Sequence, residues 1–343
     1  MSAPFRVGVV MASAVGNAVH TLPLLHSLKH HRPETHVTWV MQPGPAGLVR
    51  GHPAVDEILL FDRKRGSRGL LELRRALAAR PFDVVINLQA YFKAGMVTAL
   101  ARAPVKLGYD RARARDLTWL FSTERLAPRP RAHVQDEYLE FAEHLGAPVR
   151  LEWGIGPTDE ERERHAGLLP PFADGPTVAL VLGTTRPEKE WPAERYAELV
   201  DALAVDFGAR GVLVGGRSPR EEEAAAVIRA RAARPPLDLR EWDLRRVAYL
   251  LDRADVLVTP DTGPLHLGVA LGTPTVSLMG YTNPRRFGPY RRFLDLVVDA
   301  FGDPGEEYSA SAGHRPGRME RITVEEVAGK VALALSRYPR SVP

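Results

Sequence analysis

Residues 259–290 hold this chain's densest group of side chains and amides able to bind an anion. The apolar run 255–259 has the make-up of a buried parallel strand. Pro260, Asp261, Thr262 and Gly263 follow it as a turn. Pro264 suits the first position of a helix, where a missing N–H costs nothing. Asp261 or Thr262 can cap that helix, which leaves amides near Gly263 open to a phosphate. His266 falls in the first turn, where the helix dipole disfavours its charged form, so it would act as a neutral donor. The strand expected at 275–279 ends in a second Gly- and Pro-rich loop, 280–284. Two such strand ends form the crevice in which open α/β sheets hold phosphate-bearing ligands. The loop 183–192 also follows an apolar run. There Thr184 and Thr185 offer hydroxyls and Lys189 a compact positive charge. The same stretches are also compatible with an ordinary β-α-β unit and a solvated polar loop.

Elements able to position these loops recur along the chain. Strands are expected at 5–11, 37–41, 56–61, 83–88 and 105–108, and helices at 18–29, 69–79, 91–102 and 134–145. Breakers at 146–157 read as a linker. The pattern then restarts, with strands at 177–182, 211–214, 255–259 and 275–279 and helices at 193–207, 220–233 and 243–251. An amphipathic helix at 323–335, with Val324, Val327, Val331 and Leu335 on one face, closes the chain. Alternation of this kind specifies an α/β fold with helices on both faces of parallel sheets. Two doubly wound, Rossmann-like domains facing a central cleft are expected.

The composition narrows the chemistry. The chain has 343 residues and no cysteine, which excludes a disulfide scaffold, a thiolate nucleophile and a cysteine zinc site. No run approaches the ~18–20 apolar residues of a membrane span. The segment 7–14 is too short for a secretory leader and reads as the first strand and its loop. The expected location is the cytoplasm. Net charge is +4, and basic clusters lie at 63–65, 111–115, 125–131 and 285–292. Three of the four fall in the first half, which suits a phosphorylated acceptor lipid or a peripheral contact with the inner face of the cytoplasmic membrane. No nucleic-acid motif is present, so nucleic acid is not an expected partner.

Three motifs add a resemblance. Asp261-Thr262-Gly263-Pro264-x-His266-Leu267, Ala270-Leu271-Gly272-x-Pro274 and Gly280-x-Thr282-x-Pro284 resemble the signature of the glycosyltransferase family 9 heptosyltransferases, which build the inner core of lipopolysaccharide. The loop with Lys189-x-Trp191-Pro192 is similar to that family's loop for the nucleotide-sugar diphosphate. The resemblance implies the GT-B fold, with an acceptor domain at 1–155 and a nucleotide-sugar domain at 156–322. It also implies a closing segment, 323–343, that packs back on the first domain. Donor residues implied are Thr184, Thr185, Lys189, Thr262 and Gly263 at the diphosphate, with Asp261 and His266 at the sugar. Glu222 is implied at a ribose hydroxyl and Trp242 against the base. For the last two, a helix-start acid and an ordinary packing tryptophan are equally good readings.

The acceptor side departs from the family. The loop Gly16-Asn17-x-x-His20-Thr21-Leu22-Pro23 resembles a Gly-Asp-x-x-x-Thr-x-Pro loop whose Asp acts as general base. Asn17 stands at that position, and an amide orients a hydroxyl without taking its proton. General-base assistance is typically worth ~10²–10⁴-fold. Three readings stand side by side. The chain is a weakened or non-catalytic, sugar-nucleotide-binding relative. Or an asparagine has been put in place of the aspartate, natural or engineered, keeping the shape. Or another base serves, His20 one helical turn on, or Asp261. Lys93, in a segment similar to the family's Asp-x-Gln-Gly region, and Arg115 and His133 are implied to face the acceptor.

The expected activity is inverting transfer of heptose from ADP-heptose, or a related nucleotide sugar, to an anionic inner-core acceptor. A Rossmann oxidoreductase is disfavoured because no Gly-x-Gly-x-x-Gly follows the first strand. No cofactor is expected. No Asp-x-Asp occurs in the chain, so Lys189 and the amides at 262–263 are expected to carry the leaving diphosphate in place of a metal. Donor binding and turnover are therefore expected to survive EDTA. A loss restored by Mg²⁺ or Mn²⁺ would assign the charge stabilisation to a metal.

Overall fold

The computed structural model describes residues 4–170 and 175–340. The chain divides into two compact units, Met1–Gly154 and Ile155–Pro343. The break falls inside the breaker-rich stretch, one residue before the expected boundary.

The first unit is a six-stranded sheet of β1 (Arg6–Val10), β2 (His36–Met41), β3 (Glu57–Leu60), β4 (Val84–Asn87), β5 (Val105–Gly108) and β6 (Glu124–Arg125). Its order is β3-β2-β1-β4-β5-β6, every pair parallel. The second unit contains β7 (Thr177–Val181), β8 (Arg210–Val214), β9 (Leu237–Asp238), β10 (Val256–Pro260), β11 (Thr275–Met279) and β12 (Val297–Asp299). Its order, β12-β11-β10-β7-β8-β9, repeats the first and is again all parallel. Both are doubly wound, and the winding reverses between β1 and β4 in one unit and between β7 and β10 in the other.

Central strands are predominantly apolar because helices cover both faces. In β7 and β10 every residue is buried. Gly8 in β1 sits in close packing, since a Cβ there would lie 3.0 Å from Val85 and 3.3 Å from Phe82. Helix Val15–His31 begins directly after the β1 loop and is tied to helix Val134–His144. The tie is buried: Gln135 Oε1 meets His20 Nδ1 at 3.0 Å, and Gln135 Nε2 donates to the His20 carbonyl at 2.8 Å.

Short elements escaped the sequence reading: helices Pro43–Val49 and Asp159–His165, and strands β6, β9 and β12. The closing helix, Val324–Arg337, corrects another expectation. Its Val327, Val331 and Ala334 join Leu180, Val258, Leu278 and Trp191 in the core of the second unit. The apolar face expected to return to the first domain is thus buried in the second. Residues 341–343 of the closing segment lie outside the described residues. Trp191 Nε1 donates to the Ile322 carbonyl at 3.0 Å, fixing the turn just before that helix.

Val331→Asp places an unpaired carboxylate in this core and is expected to lower the second unit's stability by roughly 3 kcal/mol or more. Urea unfolding followed by tryptophan fluorescence reads it out. An unchanged midpoint would mean that the helix is not buried there.

Candidate active site

In the second unit, the reversal between β7 and β10 brings two loops together. Lys189 Nζ lies 2.5 Å from Asp261 Oδ2, and His266 Nε2 lies 3.7 Å from Asp261 Oδ1. All three side chains are at least four-fifths buried. Burial alone would raise the Asp261 carboxyl. The contacts from His266 and from the Lys189 ammonium outweigh it and hold Asp261 well below the usual carboxylate range. Asp261 is therefore an ionised acceptor between two donors, and it does not cap the helix that follows. Thr262 occupies the N-cap of Gly263–Leu271 with no side-chain cap bond, and Pro264 stands in the first turn. The amides at this end remain directed outward along the helix axis, where an anion is favoured.

The 183–190 loop differs in detail from the expectation. Thr184 Oγ1 donates to the Arg186 carbonyl at 2.5 Å, so this hydroxyl closes the loop's own turn. Thr185 is exposed. Lys189 is neutralised by Asp261, whereas Arg186 has no carboxylate at ion-pair distance among the described residues. The Arg186 guanidinium reaches Tyr281 Oη at 3.5 Å, and Tyr281 stacks on His314 with ring centroids 4.8 Å apart. Arg186 and Tyr281 were missed from sequence because nothing in local spacing links loops 95 residues apart.

At the end of β8 sits Trp242, whose side chain is 73% exposed. Its ring lies over Gly216, where a Cβ would come within 2.5 Å of the indole. It is thus an open aromatic face and not a packing residue. Glu222 pairs with Arg217 at 2.9 Å and Arg240 at 3.2 Å, and these contacts keep its carboxyl below the ordinary range. Glu221 is the capping acid: it closes a box with Ser218 and accepts from the Gly216 amide at 3.1 Å. The order β10-β7-β8 sets neighbouring strands ~4.8 Å apart, so the Trp242 face lies within the reach of a nucleoside diphosphate from the helix end.

In the first unit, the reversal between β1 and β4 opens a cavity of about 580 Å³. Asn17, Gln89, Lys93, Arg63, Tyr91 and Asp116 are among its lining residues. Asn17 Nδ2 donates to the Ser13 carbonyl at 3.0 Å, and Gln89 Nε2 donates to the same oxygen at 3.1 Å. Among the described residues, Asp116 is the only carboxylate in the lining.

Three expected acceptor-side residues lie elsewhere. His20 is buried against Gln135 and does not line the cavity. His133 caps helix Val134–His144, with Nδ1 accepting from the Gln135 amide at 3.1 Å. Arg115 is exposed next to the cavity's rim, its amide held by the Ala90 carbonyl at 2.9 Å. Among the described residues no cluster of three His, Asp or Glu side chains is placed to hold a metal ion.

Residues 70–303 match the model of glycosyltransferase family 9 (heptosyltransferase). The chain belongs to glycosyltransferase family 9. It is 28% identical to the lipopolysaccharide core heptosyltransferase OpsX of Haemophilus influenzae, over 96% of each chain. It is 31% identical to lipopolysaccharide heptosyltransferase 1 of Escherichia coli, over 96% of this chain and 99% of that one. Among solved structures, the Escherichia coli heptosyltransferase WaaC with ADP-2-deoxy-2-fluoro heptose superposes with a TM-score of 0.72, at 28% identity, covering 96% of this chain and 99% of that one. The chain is thus a transferase with the two Rossmann-like domains of the GT-B class.

The ion pair makes a pH-dependent prediction. The folded pKa of Asp261 lies below its unfolded value. Its stabilisation is therefore complete above the ordinary carboxylate pKa and is lost as pH falls below it. Asp261→Asn leaves Lys189 without its counter-charge and is expected to cost roughly 1–3 kcal/mol at neutral pH. That difference from wild type should shrink below about pH 4. Urea unfolding at both pH values tests this, and a constant difference would contradict the assignment.

Proposed function

We propose that this family 9 chain transfers heptose, with inversion, from ADP-heptose to a Kdo or heptose hydroxyl of the lipopolysaccharide inner core. The observation that carries the reading is the pairing at the β7/β10 reversal of an uncapped helix end with Lys189, beside the open Trp242 face at β8. Adenine stacks on Trp242, and Glu222 takes a ribose hydroxyl. The diphosphate lies against the amides at 262–263 and the hydroxyl of Thr185, with Arg186 supplying the uncompensated charge. Lys189 and His266 hold Asp261 ionised, where it accepts hydrogen bonds from sugar hydroxyls.

The acceptor enters the 580 Å³ cavity of the first unit, where Lys93, Arg63 and the nearby Arg115 meet its acid groups. Its hydroxyl oxygen bonds to the anomeric carbon as the bond to the diphosphate oxygen breaks. The hydroxyl proton must pass to a base. His20 is engaged by Gln135, and Asp261 is a poor base because its neighbours hold it ionised. Asn17 orients the hydroxyl. Asp116 takes the proton, the role favoured by its being the one carboxylate among the described residues that line the cavity. The work takes place in the cytoplasm, at the inner face of the cytoplasmic membrane. No helix among the described residues is long and apolar enough to cross a membrane.

Two variants separate the base assignments. Asp116→Asn is expected to lower kcat by ~10²-fold or more while ADP affinity stays unchanged. Asn17→Asp sets a carboxylate opposite the Ser13 carbonyl, 3.0 Å away, where the amide now donates. That neighbour favours the protonated acid, so any gain in kcat should appear only as pH rises. Steady-state kinetics across pH on both variants checks this. Full activity in Asp116→Asn would remove Asp116 from the reaction, and ADP binding without turnover in the wild type would favour a binding-only relative.

A further inference from the structure

The first unit carries an exposed apolar lip between residues 91 and 125. Tyr91, Leu117 and Leu120 are 55%, 57% and 58% exposed, and Phe92 and Met96 beside them are also open to solvent. The fold gathers these residues. Helix Phe92–Leu100 packs on the short 3-10 turn Thr118–Phe121. Gly95 lets the Phe121 ring lie against the helix backbone, and the Phe92 and Phe121 rings meet edge to face at 5.4 Å. The Arg115 amide and the Thr118 hydroxyl both donate to the Ala90 carbonyl, at 2.9 and 3.3 Å.

The exposure is built in. Asp116 and Leu117 adopt left-handed backbone angles, φ 50° and 58°, a conformation that non-glycine residues hold only when their surroundings impose it. The surroundings here are rigid: buried Arg113 binds Asp110 at 2.5 Å and Glu140 at 2.8 Å. The turn places Asp116 in the cavity lining and Leu117 in solvent.

The charge around the lip has one dominant sign. Lys93, Arg111, Arg115 and Arg125 are exposed along it. The Arg111 guanidinium lies 4.2 Å over the Trp119 ring, and Arg125 donates to the Trp119 carbonyl at 3.3 Å. Three acids share the segment. Asp110 is buried against Arg113. Asp116 belongs to the cavity, and Glu124 pairs with His144 at 2.7 Å. Leucine and aromatic side chains ringed by cations match the boundary of an anionic bilayer, where apolar groups enter below the headgroups and cations meet phosphates. A second copy of the chain fits less well, because a two-fold contact would set these cations against their own kind.

We propose that this lip docks the protein on a bilayer surface bearing anionic headgroups. Tyr91, Phe92, Lys93 and Asp116 belong both to the lip's segment and to the cavity lining. A membrane-anchored acceptor would therefore present its sugar at the cavity mouth, the one part of the proposal that rests on the transfer reading.

Flotation of the intact chain with vesicles tests the docking without turnover. Wild type is expected to float with vesicles of phosphatidylcholine plus phosphatidylglycerol and far less with phosphatidylcholine alone. Leu117→Glu with Leu120→Glu should lower the partition ~10-fold or more, and Arg111→Glu with Arg125→Glu should remove the preference for the anionic lipid. ADP binding by the second unit, measured in the same samples, should persist in both variants, and an unchanged far-UV circular dichroism spectrum shows that the mutated first unit is folded. Failure of wild type to bind ADP would count against the transfer reading and leave the docking result standing. Wild type that does not float with anionic vesicles, or a leucine variant that floats as well as wild type, overturns the proposal. So does self-association that the leucine variant abolishes in the absence of vesicle binding, which would give the lip to a second copy.

Discussion

A doubly wound parallel sheet cannot cover the carboxyl ends of the two strands where its winding reverses, because the crossover helices leave toward opposite faces. In this protein each sheet has one such gap, at β1/β4 and at β7/β10. Two polar clusters gather there. The Ser13 carbonyl with its two amide donors sits at one, and the Lys189–Asp261 pair at the other. The long apolar strands hold these ends in register, and the same strand order in both units repeats one architecture twice.

The two units handle buried charge differently. Around Arg113 the ions are closed on themselves: two carboxylates and the Ala127 carbonyl satisfy one guanidinium, and the result is a rigid 110–133 excursion. At Lys189 the pairing stops at the mouth of a crevice, next to a helix end with no side-chain cap. A satisfied buried network fixes shape, whereas charge assembled next to unfilled donors is ready for a ligand. That contrast, and not burial, distinguishes the two clusters.

The strand-and-loop plan was legible in the sequence because apolar runs and breakers carry it locally. Helix Ala193–Phe207 and strands β5 and β11 were read at the residues where they occur. Lys189 and Asp261 could be named because each follows a strand end, and Trp242 only through the family resemblance. Their partnerships could not. The distance from Lys189 to Asp261 spans 72 positions, and no spacing rule predicts that one neutralises the other. His20 and His133 looked like chemistry by residue type, yet both serve the packing of one helix through Gln135, a residue with no signal of its own. Asp116 was hidden in an arginine-rich run, since only a left-handed turn brings it to the cavity. The closing helix was misplaced because an amphipathic face says that it must be buried and not where.

Gly216 contributes no atom beyond its backbone, yet it sets how low the Trp242 indole can settle on the sheet edge, for a single added carbon would come within 2.5 Å of the ring. The thickness of any slot above that indole is therefore gauged from underneath, by a spacer of zero size. A change in the height of that platform need not alter any group on its open face. It can be made by shimming the platform from below.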